Sequence, residues 1–218
     1  MSNVNRRDAL KVFGVAPLAG MLDWSAPTVD RATRFVAALG EGETAAPYAP
    51  KFFKPHEWRT VRVLADMIIP KDERSGSATD AKAPEFMDFM LVDADASSEA
   101  SRVSMRGGLA WLDEEMRSRF GTDFLASTDA NRRAVLDDIA YPARVKPELR
   151  RGSAWFSRFR SSVGSAFFSS QMGWQDLRYM GNVFNPNWNG CPRAATDKLG
   201  VSYEEFDASM AKFRAAPK

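Results

Sequence analysis

The sequence predicts an all-α fold, and three observations lead to this prediction. Apolar residues recur at three- and four-residue spacing through most of the chain after residue 50. Pro55, Pro70, Pro84, Gly121 and Pro142 fall at the edges of these periodic stretches, where helices begin and end. No stretch alternates apolar and polar positions with β-branched residues, as a half-buried strand does. We therefore expect a single helical domain over residues 51–218.

The first two helices of this domain are indicated by their prolines. Pro55 suits the first turn of a helix that Pro70 stops, and the apolar residues between them keep helical spacing. Pro84 opens a second helix, in which Phe86 and Phe89 share one face.

Four further helices are expected from capping residues and apolar stripes. One covers about 98–120 and ends at Gly121, a residue type favoured where helices terminate. The next is capped by Thr128 or Asp129 and closed by Pro142. The third of these helices has the apolar stripe Leu149, Trp155, Phe156, Phe159, Val163 and Phe167. The last helix has the stripe Tyr203, Phe206 and Met210.

Residues 150–160 interleave arginines with aromatic residues, a pattern that also occurs where proteins bind single-stranded nucleic acid. Helical geometry favours another interpretation, because Phe156 and Phe159 share a face from which Arg151 and Arg158 are excluded. The chain carries 30 basic and 28 acidic side chains, a net charge of only +2. We therefore expect a core stripe with a solvated or partner-facing basic side, and no nucleic-acid partner.

The N-terminal segment, residues 1–27, has the features of an export signal. The pair Arg6-Arg7 is followed by Leu10-Lys11 and then by the uncharged run 12–22, which is rich in Ala and Gly. That run is too short to span a bilayer, which takes about 20 apolar residues. The pattern resembles a bacterial twin-arginine signal and predicts a periplasmic protein exported by that route. An ordinary amphipathic first helix is the alternative.

Residues 28–50 are expected to form a linker. Prolines and glycines interrupt this segment and leave one apolar run, 35–39, that can form a short helix.

Cysteine and histidine usage restricts the chemistry available to the chain. There is one cysteine, Cys191, and one histidine, His56. A closed zinc site takes about four nitrogen or sulfur ligands and a c-type haem requires a CxxCH motif, so neither is expected. Glu57 follows His56 directly, but adjacent helical residues point in different directions. We predict no catalytic, cofactor-binding or metal-binding residues, although carboxylate-only chemistry remains open.

The segment 173–192 differs from the rest, because it packs aromatic residues among Gly, Asn and Pro. Such segments are common anchors of protein interfaces, and the alternative is a loop folded onto its own core. Cys191 is either buried and inert or paired with another chain. The residues predicted to contact a partner are Trp174, Tyr179, Gly181, Asn182, Phe184, Trp188, Cys191 and Pro192.

Several motifs together resemble the gluconate 2-dehydrogenase subunit 3 family. Residues 57–72 contain a helix end similar to the family's LAD-x-IIP-x-D pattern, and 84–88 resembles its PEF-[IM]-D element. Residues 179–182 and 188–192 are similar to its terminal aromatic–glycine motif. The resemblance spans most of residues 52–200, whereas residues 75–83 depart from the family's Pro-Gly-Ala and Ala-Gly-Val pattern.

The resemblance implies a non-catalytic small subunit that assists export, maturation and stability of a large catalytic subunit. That large subunit is of the glucose-methanol-choline type and carries FAD, whereas no cofactor is expected on this chain. Such complexes oxidise CH–OH groups of sugars, as gluconate, glucose or glucoside 3-dehydrogenases do, and pass electrons to an acceptor such as a cytochrome c. Two alternatives remain: a periplasmic helical binding or scaffold protein without a dehydrogenase partner, and an independent periplasmic enzyme that uses carboxylates.

Overall fold

The computed structural model describes residues 24–39, 48–179, 181, 190–204 and 208. Regular structure in these ranges is entirely helical, which confirms the all-α prediction. The chain divides into two compact units, residues 1–179 and 180–218. The α-helices of the first unit are α1 (Ala26–Ala38), α2 (Pro55–Ile68), α3 (Ala83–Val92), α4 (Glu99–Phe120), α5 (Asp129–Ile139), α6 (Arg150–Phe168) and α7 (Gln171–Leu177), and the second unit contains α8 (Arg193–Leu199). None of the described helices is both long and apolar enough to cross a lipid bilayer.

Helix α6 is the centre of the first unit. It contacts α2, α3, α4, α5 and α7, and more than half of its 19 residues are buried. Phe156, Phe159 and Val163 lie in the core, whereas Arg151 and Arg158 are exposed. The aromatic stripe is therefore a core stripe, as its helical spacing predicted, and removal of this apolar surface from water stabilises the unit.

Capping residues occupy the ends of α4 and α5. The Ser98 Oγ accepts the Ser101 N–H at 3.2 Å at the start of α4, and the Thr128 Oγ1 accepts the Asn131 N–H at 3.3 Å at the start of α5. Gly121 ends α4 with a φ of 75°, in the left-handed region that favours glycine. Of the two candidate caps of α5, Thr128 is the one in place.

Three helices differ from the sequence prediction: α1 is longer than expected, and α7 and α8 were not predicted. Helix α1 occupies the segment expected to be a linker with one short helix, and it packs against α3 with Ala32 fully buried. Helices α7 and α8 have seven residues each, too few to establish an apolar period. In the predicted final helix Tyr203 is helical, and Phe206 and Met210 lie outside the described residues.

The carboxylate of Asp88 in α3 holds the segment that leads into α2. Asp88 is fully buried and accepts the backbone N–H groups of Lys51, Phe52 and Phe53 at 2.8, 3.0 and 3.1 Å. The Tyr48 hydroxyl donates a fourth hydrogen bond at 2.7 Å, and burial together with this bond raises the pKa of Tyr48. Four donors offset the desolvation of the buried charge, so the position of this segment on α3 depends on one side chain.

Helices α4 and α6 interlock through two glycines and two tryptophans. A Cβ atom on Gly108 of α4 would overlap the Trp155 ring of α6, and a Cβ atom on Gly152 of α6 would overlap the Trp111 ring of α4. Each helix therefore provides a notch, formed by a missing side chain, for an indole ring of the other. Close packing of this kind tolerates little added volume.

We expect Gly108→Ala to lower the free energy of unfolding by about 1–3 kcal/mol, because the new methyl group overlaps the Trp155 ring. Gly107 is a matched control, since a Cβ atom there meets nothing within 4 Å. Gly107→Ala should be neutral or stabilise by about 0.5–1 kcal/mol, because alanine has the higher helix propensity. Chemical denaturation measures both effects, and equal stability of the two variants would contradict the interlock.

Candidate partner-binding surface

Two of the residues predicted to contact a partner, Trp174 and Tyr179, lie close together on the surface of the first unit. Trp174 is 46% exposed, Tyr179 is 58% exposed and Leu177 between them is 49% exposed. The ring centroids of Trp174 and Tyr179 are 6.3 Å apart, in an edge-on arrangement. We call Trp174, Leu177 and Tyr179 the α7 cluster. Neighbouring exposed apolar side chains of this size are typical of interaction sites.

The turn between α6 and α7 directs this cluster outward. The Ser170 Oγ accepts the Gly173 N–H at 3.0 Å, and its hydroxyl donates to the Phe167 carbonyl oxygen at 2.6 Å. A Cβ atom on Gly173 would overlap the same carbonyl oxygen, so only glycine fits there. Gly173 and Asp176 are the buried residues of α7, which leaves the face bearing Trp174 toward solvent.

A groove of about 480 Å³ opens beside the α7 cluster. Its walls come from α1, the turn before α3, α3 itself and the junction of α6 and α7. The residues that line it include Val36, Ala37, Lys82, Phe86, Met172 and Trp174. Because Trp174 belongs to both features, the groove and the cluster form one continuous surface. A groove of this volume accommodates several side chains of a partner or a small molecule.

Sequence reasoning did not identify Leu177, Lys82 and Met172 as members of this surface. Leu177 and Met172 carry a weak signal, since both are apolar residues in the short helix before an aromatic, Gly-rich segment. Lys82 carries none, because it reaches the groove only through the packing of α1, α3 and α6, which are distant in sequence.

Three other predicted contact residues, Gly181, Cys191 and Pro192, belong to the second unit and are exposed. The Cys191 thiol is free, and the Cys191 N–H donates to the Tyr203 hydroxyl at 2.9 Å. The exposure of Cys191 excludes the buried alternative, and pairing with another chain stays a prediction.

The remaining predicted residues lie outside the part of the chain that the structure describes. They are Arg6 and Arg7 of the export signal and Asn182, Phe184 and Trp188 of the contact segment.

The acidic residues of the two sequence motifs support the fold. Asp66 accepts the Thr79 N–H at 2.8 Å and the Thr79 hydroxyl at 2.7 Å, which fastens the loop after α2 to that helix. Asp72 accepts the N–H groups of Arg74 and Ser75 at 2.8 and 3.0 Å, as in an Asx turn. Asp88 accepts four hydrogen bonds, as described above. Three acids of the motifs, Asp66, Asp72 and Asp88, therefore form hydrogen bonds within the first unit.

Glu85, the fourth motif acid, is buried in the first turn of α3. Arg62 reaches one carboxylate oxygen at 3.2 Å, and the other oxygen has no hydrogen-bond partner among the described residues. Burial raises the pKa of Glu85, and this outweighs the opposing effect of Arg62.

His56 pairs with an acid other than its sequence neighbour. The His56 Nε2 lies 2.7 Å from an oxygen of the buried Asp113 in α4, whose other oxygen accepts the Phe124 N–H at 3.0 Å. Glu57 instead accepts the Lys54 N–H at 2.8 Å at the start of α2. Among the described residues, no group of three or more His, Cys, Asp and Glu side chains is close enough to hold a metal ion.

Exposed apolar side chains clustered beside a groove are typical of an interaction site. Residues 55–186, more than half of the chain, match the sequence profile described as gluconate 2-dehydrogenase subunit 3. The chain belongs to the gluconate 2-dehydrogenase subunit 3 family. That description is of a subunit of a dehydrogenase complex. Comparison with curated proteins and with solved structures gave no match.

We expect Glu85→Gln to raise the free energy of unfolding at pH 7. Burial raises the folded-state pKa of Glu85 above its ordinary value of 4.5, so ionisation of this carboxyl opposes folding as the pH rises through the folded-state pKa. The amide carries no charge and keeps an oxygen for Arg62. Urea unfolding of variant and parent at pH 7 and at about pH 3, where the carboxyl is almost fully protonated in both states, measures the effect. A stability difference that is the same at both pH values would contradict this explanation.

Proposed function

We propose that the chain is the non-catalytic small subunit of a FAD-dependent sugar or glycoside dehydrogenase. Its role is to assist export, maturation and stability of a large catalytic subunit of the glucose-methanol-choline type. The family membership supports a place in a dehydrogenase complex, and the α7 cluster with its groove supports direct binding of another subunit.

The observation that carries this proposal is the exposure of Trp174 and Tyr179. Both were expected at a partner surface from sequence, and both are about half exposed beside an apolar groove. Aromatic side chains such as these are enriched among residues that dominate binding energy at protein interfaces. The free, exposed Cys191 of the second unit is available for pairing with the same partner.

FAD is assigned to the large subunit, and a cytochrome c is a further candidate partner as electron acceptor. The sequence of this chain has no glycine fingerprint after a predicted strand, the element that holds the pyrophosphate of a dinucleotide in common flavin-binding folds. The complex is expected in the periplasm, and the export signal carried by this chain then serves both subunits.

We expect Trp174→Ala with Tyr179→Ala to weaken the complex by about 2 kcal/mol or more, because these rings are the interface anchors. The isolated variant should stay folded, with a cost well below the roughly 3–5 kcal/mol typical of a buried aromatic residue. Tyr141→Ala is the control, since Tyr141 is also 46% exposed but lies in the loop between α5 and α6. The measurements are the thermal midpoint of the isolated chain and co-purification with the flavoprotein subunit encoded beside it. If the double variant co-purifies with the flavoprotein subunit as well as the parent does, the interface does not include the α7 cluster.

Absence of any flavoprotein bound to the parent chain would instead reject the small-subunit proposal. That result would favour the helical scaffold protein without a dehydrogenase partner.

We expect Arg6→Lys with Arg7→Lys to leave the chain and its associated dehydrogenase activity in the cytoplasm. A twin-arginine signal is recognised through both guanidinium groups, which lysine does not replace. The matched control replaces the adjacent arginines of α6, Arg150 and Arg151, by lysine. Cell fractionation followed by immunodetection measures the outcome, and a normal periplasmic amount of the signal variant would refute export by this route.

A further inference from the structure

We infer that the large subunit presents an acidic surface to the start of α6, and that positive charge there speeds the encounter of the two subunits. The cations concerned are Arg144, Lys146, Arg150, Arg151 and Arg160, which we call the basic cluster. The inference rests on the proposed function, because it takes the large subunit as the partner. It adds the charge of that partner and the step of assembly at which the charge acts.

Positive charge is concentrated in one short stretch of the chain. Residues 141–160 contain six basic side chains and one acidic side chain, a net charge of +5. The rest of the chain has 24 basic and 27 acidic side chains, so the overall charge of +2 conceals an uneven distribution. Charge gathered in this way produces a local positive potential on a protein that is nearly neutral as a whole.

Hydrogen-bonded turns hold the loop between α5 and α6 in a small region. The Arg144 N–H donates to the Tyr141 carbonyl oxygen at 2.9 Å. One turn later, the Leu149 N–H donates to the Lys146 carbonyl oxygen at 3.0 Å. Residues 150 and 151 follow directly as the first two of α6, so four cations of the basic cluster lie within eight consecutive residues.

Arg160 joins the basic cluster from the next turns of α6. Its guanidinium donates to the Ala140 carbonyl oxygen at 3.1 Å, at the point where the loop begins. Burial lowers the pKa of Arg160, and the opposing effect of Tyr141 is smaller. This half-buried cation has a neutral acceptor and no counter-ion among the described residues, so an approaching carboxylate offsets part of its desolvation.

The charges of the basic cluster are not neutralised within the described chain. Eight other described arginines form ion pairs with described carboxylates, whereas no member of the basic cluster does. All members except Arg160 are exposed. The nearest acids in the sequence that remain unpaired are Glu148 and Asp137, so cations outnumber acids at this end of α6.

The basic cluster and the α7 cluster belong to opposite ends of α6. The helix has 19 residues, a length of about 27 Å at 1.5 Å per residue, and the turn into α7 follows its far end. Charges at this distance from the anchoring residues act while the partner approaches, since their range is about 10 Å at 0.1 M salt and about 30 Å at 0.01 M. Complementary charge of this kind raises association rates more than it slows dissociation.

The basic cluster is tested by reversing two of its exposed charges. We expect Arg144→Glu with Lys146→Glu to slow association with the purified, flavin-loaded large subunit by about tenfold at 0.01 M salt, since steering accelerates association by roughly 10- to 1,000-fold. The dissociation rate should change by less than about twofold, because the α7 cluster is intact. Association kinetics of the immobilised chain measure both rates.

The matched control is Arg59→Glu with Arg133→Glu, which changes the net charge by the same amount. Both residues are exposed, and neither forms an ion pair with a described carboxylate. This variant should associate within about threefold of the parent's rate. Raising the salt from 0.01 to 0.5 M should slow the parent and the control by about tenfold and the variant of the basic cluster by much less, because screening removes steering.

The thermal midpoint of the isolated chain separates steering from a structural role. Reversal of charges in the basic cluster relieves repulsion between like charges, so the midpoint should be unchanged or higher. A midpoint below that of the control variant would show that a segment of this chain covers the cluster, and would overturn the inference.

The remaining outcomes distinguish the inference from the proposed function. If the parent chain does not bind the large subunit, the proposed function fails and the inference with it. If the parent binds and the variant of the basic cluster associates as fast as the control, the large subunit presents no acidic surface here and only the inference fails. If that variant associates normally but loses binding to phosphatidylglycerol vesicles, the basic cluster faces a membrane instead, which also overturns the inference.

Discussion

The hydrogen bonds of Asp88 fix the arrangement on which the rest of the first unit depends. They fasten the backbone of residues 51–53 to α3 just before α2 begins. Helix α3 also holds α1, through stacking of Phe35 on Phe89 with ring centroids 4.7 Å apart. Asp93, at the end of α3, adds an ion pair with Arg31 at 2.8 Å. Helix α3 is thus connected by side chains to both segments that precede it. Its position defines one wall of the groove.

Features that depend on residues close together in the sequence, such as helix ends and apolar helix faces, were predictable from the sequence. Thr128 and Gly121 are placed by capping, and the stripe containing Phe159 is placed by helical periodicity. The bonds of Asp88 reach residues 35 to 40 positions away, and no local pattern indicates them. The same limit applies to the surface. Trp174 stands out by composition alone, whereas Lys82 becomes part of the groove only when distant helices pack.

The motif acids connect the family signature with this surface. Asp66 at the end of α2 fixes Thr79, and Asp80 holds the turn through the Ser77 N–H, so that the chain enters α3 with Lys82 at the groove. The motif acid Asp66, together with Asp80 of the following loop, therefore helps to set the shape of a groove wall. This explains how a recognisable sequence pattern of acids belongs to a protein proposed to act through binding.

The reciprocal notches between α4 and α6 have a further consequence. One ring in one notch would leave two helices free to pivot about the contact, whereas Trp111 against Gly152 and Trp155 against Gly108 fix both rotation and axial register. Helix α6 carries the turn from which α7 projects. The face proposed to bind a partner is therefore mounted on one of two interlocked helices. A preorganised face loses little conformational entropy on association, so more of its contact energy is available to hold the partner.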